Sequence, residues 1–245
     1  MHMRRTRTFL ALVAVIVLTS VLWVGSAEAG GPARYRVRIV NLTDGQPLTP
    51  PVIATHGFGF DLFEVGDLAS VGVMQVAENG NVPNLVSALE QATGVAEVVA
   101  GTAPLVPDGL PGSPGHSEMG TLEVTAPGHV RFVSFASMLI CTNDGFTGIN
   151  HIRLPTEVGG TMVIRAAGYD AGTETNTEDL ADIVPPCQSL VGVTSSDPGT
   201  GASNPALLEG GVIHHHPGIA GGVDLDPGIH GWDDPVVRVR ITRIA

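Results

Sequence analysis

The sequence predicts an all-β protein, an antiparallel β-sandwich with a short helical insertion at about residues 67–100. Three features lead there. Near both ends of the chain, apolar and charged residues alternate with a period of two, as in a strand buried on one face. Residues 130–140 form a long run rich in Val and Phe, which suits a central strand covered on both faces. Glycine (32) and proline (18) separate the short apolar runs, enough to supply turns but too few for a low-complexity chain.

In residues 35–42, Tyr35, Val37 and Ile39 fall on one face and Arg36 and Arg38 on the other. Residues 67–78 and 83–92 change to helical spacing. The second stretch has Leu85, Val86 and Leu89 on one side, Pro83 or Asn84 to open it and Gly94 to close it. Strands are expected at 121–125, 130–140 and 161–167, with weaker ones at 191–194 and 211–215. Residues 236–244 return to the opening pattern, Val237, Val239 and Ile241 against Arg238, Arg240 and Thr242. Two strands of matching pattern at opposite ends of the chain predict that they close one domain as neighbours in one sheet. No internal repeat or long linker divides residues 30–245, so a single domain is expected.

Residues 1–29 read as a cleaved signal peptide. Arg4, Arg5 and Arg7 form a basic start, Phe9 to Val24 an uncharged and mostly apolar run, and Ala27-Glu28-Ala29 a small-x-small cleavage pattern. The apolar run, about 16 residues, is shorter than the roughly 20 a spanning helix needs. No stable membrane insertion is therefore expected after cleavage, and the protein is expected to be secreted, periplasmic or at the cell surface. All 12 basic residues are arginine, against 24 acids, for a net charge of −12. Losing residues 1–29 removes three arginines and Glu28 and deepens the charge to −14. Such a chain lacks the basic face that nucleic acid requires, and anionic membranes repel it. Export also makes Cys141 and Cys187 candidates for a disulfide, with two buried thiols as the alternative.

The acids are clustered. Asp170, Glu174, Glu178, Asp179 and Asp182 fall within 13 residues that contain no base, just past the strand at 161–167. Asp144 follows the strand at 130–140. Carboxylates on loops at one end of a sandwich repel one another until a cation neutralises them. Flexible oxygen donors suit Ca²⁺, which accepts six to eight ligands. A solvated acidic loop is the plain alternative. His214 and His216 lie on one side of an extended segment, a possible second metal cluster with His56, His116 or His230. Two partial motifs fail: Met119 replaces the last glycine of a nucleophile elbow at 115–120, and Pro227 and Pro235 break an EF-hand reading from Asp224.

Residues 35–56, 62–79, 137–148, 169–176 and 232–244 together resemble the spondin domain family, the N-terminal-type domain of F-spondin and mindin, here in a stand-alone exported form. The most specific pieces are Thr142-Asn143-Asp144 with Phe146 and Gly148, and Tyr169-Asp170-Ala171-Gly172-Thr173. The resemblance implies a β-sandwich with a Ca²⁺ site in loops at one end. By motif its ligand carboxylates fall on Asp144, Asp170 and Glu174. Animal members tend to have Asp where Glu174 stands, and Cys141 departs from the pattern. The function implied is a secreted calcium-binding, non-catalytic binding or adhesion module for an extracellular protein or glycan. The alternatives are an exported structural or envelope protein with a vestigial metal site, and a histidine-metal-dependent hydrolase.

Overall fold

The computed structural model describes residues 31–245, so the signal peptide read at residues 1–29 lies outside the described residues. In chain order the elements are β1 (Ala33–Asn41), β2 (Val52–His56), α1 (Val71–Asn79), α2 (Val82–Glu90), β3 (Val95–Ala100), β4 (Met119–Ala126), β5 (Phe132–Met138), β6 (Gly145–Arg153), β7 (Thr161–Ala166), β8 (Gly168–Asp170), α3 (Pro186–Val191), β9 (His214–His215), α4 (Pro227–His230) and β10 (Val237–Arg243). The strands form two antiparallel sheets, one ordered β4-β1-β10-β7 and the other β3-β2-β5-β6-β8-β9. This is the all-β sandwich the sequence predicts.

The first and last strands pair as neighbours, with Val37 opposite Ile241 and Ile39 opposite Val239. The register follows from the alternation, because a one-residue slip would turn Arg36, Arg38, Arg238 and Arg240 inward. Tyr35, Val37, Ile39, Val239 and Ile241 join Val124, Val133 and Phe135 in the core between the sheets. On the outer face, Arg34 and Arg36 meet Glu123 of β4 at 2.7 and 3.1 Å. β5 is covered on both sides as its composition predicts. Phe135 faces the other sheet, while Ala136 packs with the helices and Phe146 on the far face.

Helix α1 starts at Val71, not residue 67, because Ser70 caps it by accepting the Val73 N–H at 3.3 Å. Gly80, at φ 60°, ends it. Asn81 caps α2 through the Asn84 N–H at 3.1 Å. Val73, Val76, Leu85 and Leu89 turn inward onto the six-stranded sheet. The helical insertion is shorter than expected: residues 95–100 form β3, an edge strand paired with β2. Residues 191–194 are not a strand, since Val191 ends α3 and Gly192 leaves it at φ 78°. The strand expected at 211–215 contracts to His214–His215.

Cys141 and Cys187 form a disulfide, with their Cα atoms 5.1 Å apart. The bond ties the turn after β5 to α3 within a third apolar cluster that includes Met138, Ile140, Leu180, Ile183 and Leu190. It therefore anchors the far end of the acidic loop that leaves β8.

Candidate metal centre

The turn before β6 places the first carboxylate. Thr142 Oγ1 donates to the Leu139 carbonyl at 2.6 Å and accepts the Gly145 N–H at 2.9 Å, closing a tight turn. Gly145 pairs with Asp170 across β6 and β8, so Asp144 and Asp170 emerge at the same end of adjacent strands. Both side chains are fully buried.

Asp144 Oδ2 accepts three hydrogen bonds, from the Thr173 N–H (2.7 Å), the Glu174 N–H (3.0 Å) and the Thr173 hydroxyl (3.1 Å). Its other oxygen, Oδ1, is buried with no hydrogen-bond partner among the described residues. Asp170 accepts the Gly172 N–H on Oδ1 at 2.7 Å and the Asn176 amide on Oδ2 at 2.6 Å. Past Asp170 the chain pairs with residues 207–211. Gly211 donates to the Gly172 carbonyl at 2.8 Å and Glu209 to the Thr173 carbonyl at 3.2 Å. That pairing delivers Glu209, and one oxygen each from Asp144, Asp170 and Glu209 lie within 4.8 Å of one another.

Burial, followed by the Asp170 charge, pushes the Asp144 carboxyl up to about 6 against the pull of its three donors. Burial likewise raises Glu174 to about 7, opposed by the Asn204 N–H and reinforced by Glu78, Asp144 and Asp182. These carboxylates resist ionisation as they stand, and a cation would reverse that preference.

Of the residues implicated by motif, the structure brings Asp144 and Asp170 together, while the Glu174 carboxylate stands outside the group. Its Oε1 accepts the Asn204 N–H at 2.7 Å, and its main chain supports Asp144 instead. Glu209 takes the third place. Nothing in its local sequence marks it, because only the pairing of residues 207–211 with the acidic loop brings it there. The Glu178 carboxylate is taken up by the Ala220 and Gly221 N–H groups at 2.6 and 2.7 Å.

Among the described residues, the histidines His56, His116, His214, His216 and His230 do not gather as a metal cluster. With β9 only two residues long, strict alternation ends there: His214 is exposed and His216 is buried. His214 Nδ1 donates to the Val212 carbonyl at 3.0 Å and lies 3.8 Å from Asp170 Oδ1. That carbonyl bond, aided by neighbouring carboxylates, raises its pKa. His216 packs on Trp232 with ring centroids 5.0 Å apart, and burial lowers its pKa to about 4. Neither belongs to a group of three metal-ligating side chains among the described residues. His56 lies buried in β2 with Nε2 2.8 Å from Ser134 Oγ, a hydroxyl itself fully buried. His116 is exposed beside β4. His230 adjoins Cys141 and Cys187, whose sulfurs are joined and offer no thiolate.

Comparison with protein families matches residues 47–199 to the family described as Spondin_N. The matched span contains Asp144, Asp170, Glu174 and both cysteines. No curated protein matches the chain.

Proposed function

The chain belongs to the Spondin_N family, and from that premise we propose that it is a secreted, calcium-binding, non-catalytic binding or adhesion module whose ion is held by Asp144, Asp170 and Glu209. The observation that carries this reading is Asp144 Oδ1, a buried carboxylate oxygen with no hydrogen-bond partner beside a second buried carboxylate. Unpaired buried charge is strongly unfavourable, and a divalent cation supplies the missing partner. Three hard oxygen donors, Asp170 at the end of β8 and Asp144 and Glu209 on adjoining loops, fit Ca²⁺, with the rest of its coordination open to water. The donor set includes no thiolate or imidazole of the kind that selects zinc.

In this role the ion joins the β5–β6 turn, the acidic loop after β8 and residues 207–211. The chemistry supplied by bound Ca²⁺ is neutralisation and cross-linking. The module then presents an ordered loop surface at one end of the sandwich to an extracellular protein or glycan. Calcium titration by calorimetry tests the assignment. The expected result is one ion per chain with Kd in the extracellular range, about 10⁻⁴–10⁻³ M. Asp170→Asn should weaken binding at least tenfold. Absence of binding at roughly 10 mM Ca²⁺, well above that range, or equal affinity in the variant, would overturn it.

A further inference from the structure

Away from the carboxylate cluster, a cavity of about 630 Å³ opens between the turn at residues 44–46, α4 and the segment leading into β10. Asp44, Leu110, Ile219, Ile229, Trp232 and Asp233 are among the residues that line it. We propose that this cavity binds the cationic side chain, arginine or lysine, of a protein partner.

The walls are set by close backbone packing. A Cβ on Gly45 would stand 2.1 Å from the Ile229 carbonyl oxygen, and one on Gly231 would stand 2.2 Å from that of Pro227. Gln46 Nε2 donates to the His230 carbonyl at 2.6 Å and to that of Cys141 at 3.2 Å, tying the floor to the disulfide turn. Trp232 is held in place as well. A Cβ at Gly168 would come within 3.0 Å of its Nε1, and the buried His216 ring lies against it at 5.0 Å between centroids. His216 is itself oriented, because its Nδ1 accepts the Gly218 N–H at 3.0 Å.

The chemistry of the lining selects the ligand. Tryptophan is the strongest aromatic partner for an organic cation. Asp44 and Asp233 are exposed, and neither makes an ion pair or side-chain hydrogen bond among the described residues. None of the arginines of residues 31–245 lines the cavity. An anionic ligand would meet two carboxylates on a chain of net charge −12. An apolar ligand would strip water from those carboxylates without replacing it. A guanidinium or ammonium group on an alkyl stem satisfies the indole face, the aliphatic wall and both acids together.

The test uses the secreted chain, residues 30–245, in which Trp232 is the only tryptophan. Titrations are run with chelator present, so that the outcome is independent of the calcium site. Acetyl-Gly-Arg-Gly-amide should produce a saturable change in Trp232 emission that weakens as salt is added. The isosteric citrulline peptide, which lacks only the charge, should bind about tenfold more weakly. The Asp44→Asn/Asp233→Asn variant should lose a similar factor while keeping its unfolding midpoint, both positions being exposed. Equal responses to the arginine and citrulline peptides, or no response to either, would overturn the proposal. So would a response to the neutral sugar chitotriose with none to the arginine peptide, which would make the cavity a glycan site.

Discussion

Asp144→Asn separates the cost of the buried charge from its use. Free of ion, the Asp144 carboxyl is raised from 3.8 to about 6. At 1.36 kcal/mol per unit, that shift corresponds to about 3 kcal/mol favouring the protonated form in the folded state. A raised folded-state value means that this stability is fully present below pH 3.8 and is lost as pH rises through about 6. At pH 7.5 the ion-free wild type has therefore lost it, whereas asparagine is neutral at every pH. Asparagine also keeps an oxygen for the three donors from Thr173 and Glu174. If about 2 kcal/mol survives the imperfect geometry, the variant should melt roughly 4–8 °C above wild type in chelator. Calcium narrows the gap. At about 1 mM Ca²⁺ and a Kd near 10⁻⁴ M, wild type gains roughly 1.4 kcal/mol, or about 3–6 °C, and the variant should gain nothing. Thermal unfolding followed by circular dichroism, with chelator and with Ca²⁺, at pH 7.5 and near pH 4, reads every arm. The reasoning fails if the ion-free variant melts below wild type at pH 7.5. It fails equally if the gap does not shrink towards pH 4, or if both proteins respond to calcium alike.

Two further perturbations address the frame around the site. Replacing both Cys141 and Cys187 with serine frees a loop of 46-residue separation, and should lower stability by about 4 kcal/mol in urea unfolding on the loop-entropy estimate; an unchanged midpoint would show that the bond contributes nothing. Gly172→Ala places a Cβ 2.6 Å from the Val212 carbonyl oxygen at a residue with φ of 68°. It should cost about 1–3 kcal/mol. Because Gly172 pairs with the segment that delivers Glu209, it should also weaken Ca²⁺ binding at least fivefold by calorimetry, whereas full affinity would remove Glu209 from the ligand set.

Local pattern was sufficient wherever a segment's own residues decide its environment. The arginine alternation set which faces of β1 and β10 are buried, and the Val/Phe run marked β5 as covered on both sides. Export and spacing made Cys141 and Cys187 candidates for the disulfide that forms. Strands β6 and β8 are hidden in the sequence because Gly145, Gly148 and Gly168 interrupt their apolar pattern. The glycines are needed there: a Cβ on Gly148 would lie 2.3 Å from the Phe135 carbonyl oxygen, and one on Gly168 would crowd Trp232. In the sequence β3 merges with the helical insertion, because its short run of valine and alanine, split by Glu97, is ambiguous in isolation. Its pairing with β2 decides its state.

The same division runs through the site. Motif and charge density in the sequence singled out Asp144 and Asp170 as carboxylates at strand ends. Tertiary structure decides which carboxylates stand together: it sets Glu209 beside them and Glu174 against the Asn204 N–H, because hydrogen bonds between distant segments select the side chains that converge. It also separated the three consecutive histidines into an exposed His214, a His215 over Tyr169 and a buried His216 against Trp232. Residue type and spacing record what a segment tends to do, but burial and charge neutralisation depend on which other segment arrives, and only the folded chain sets that.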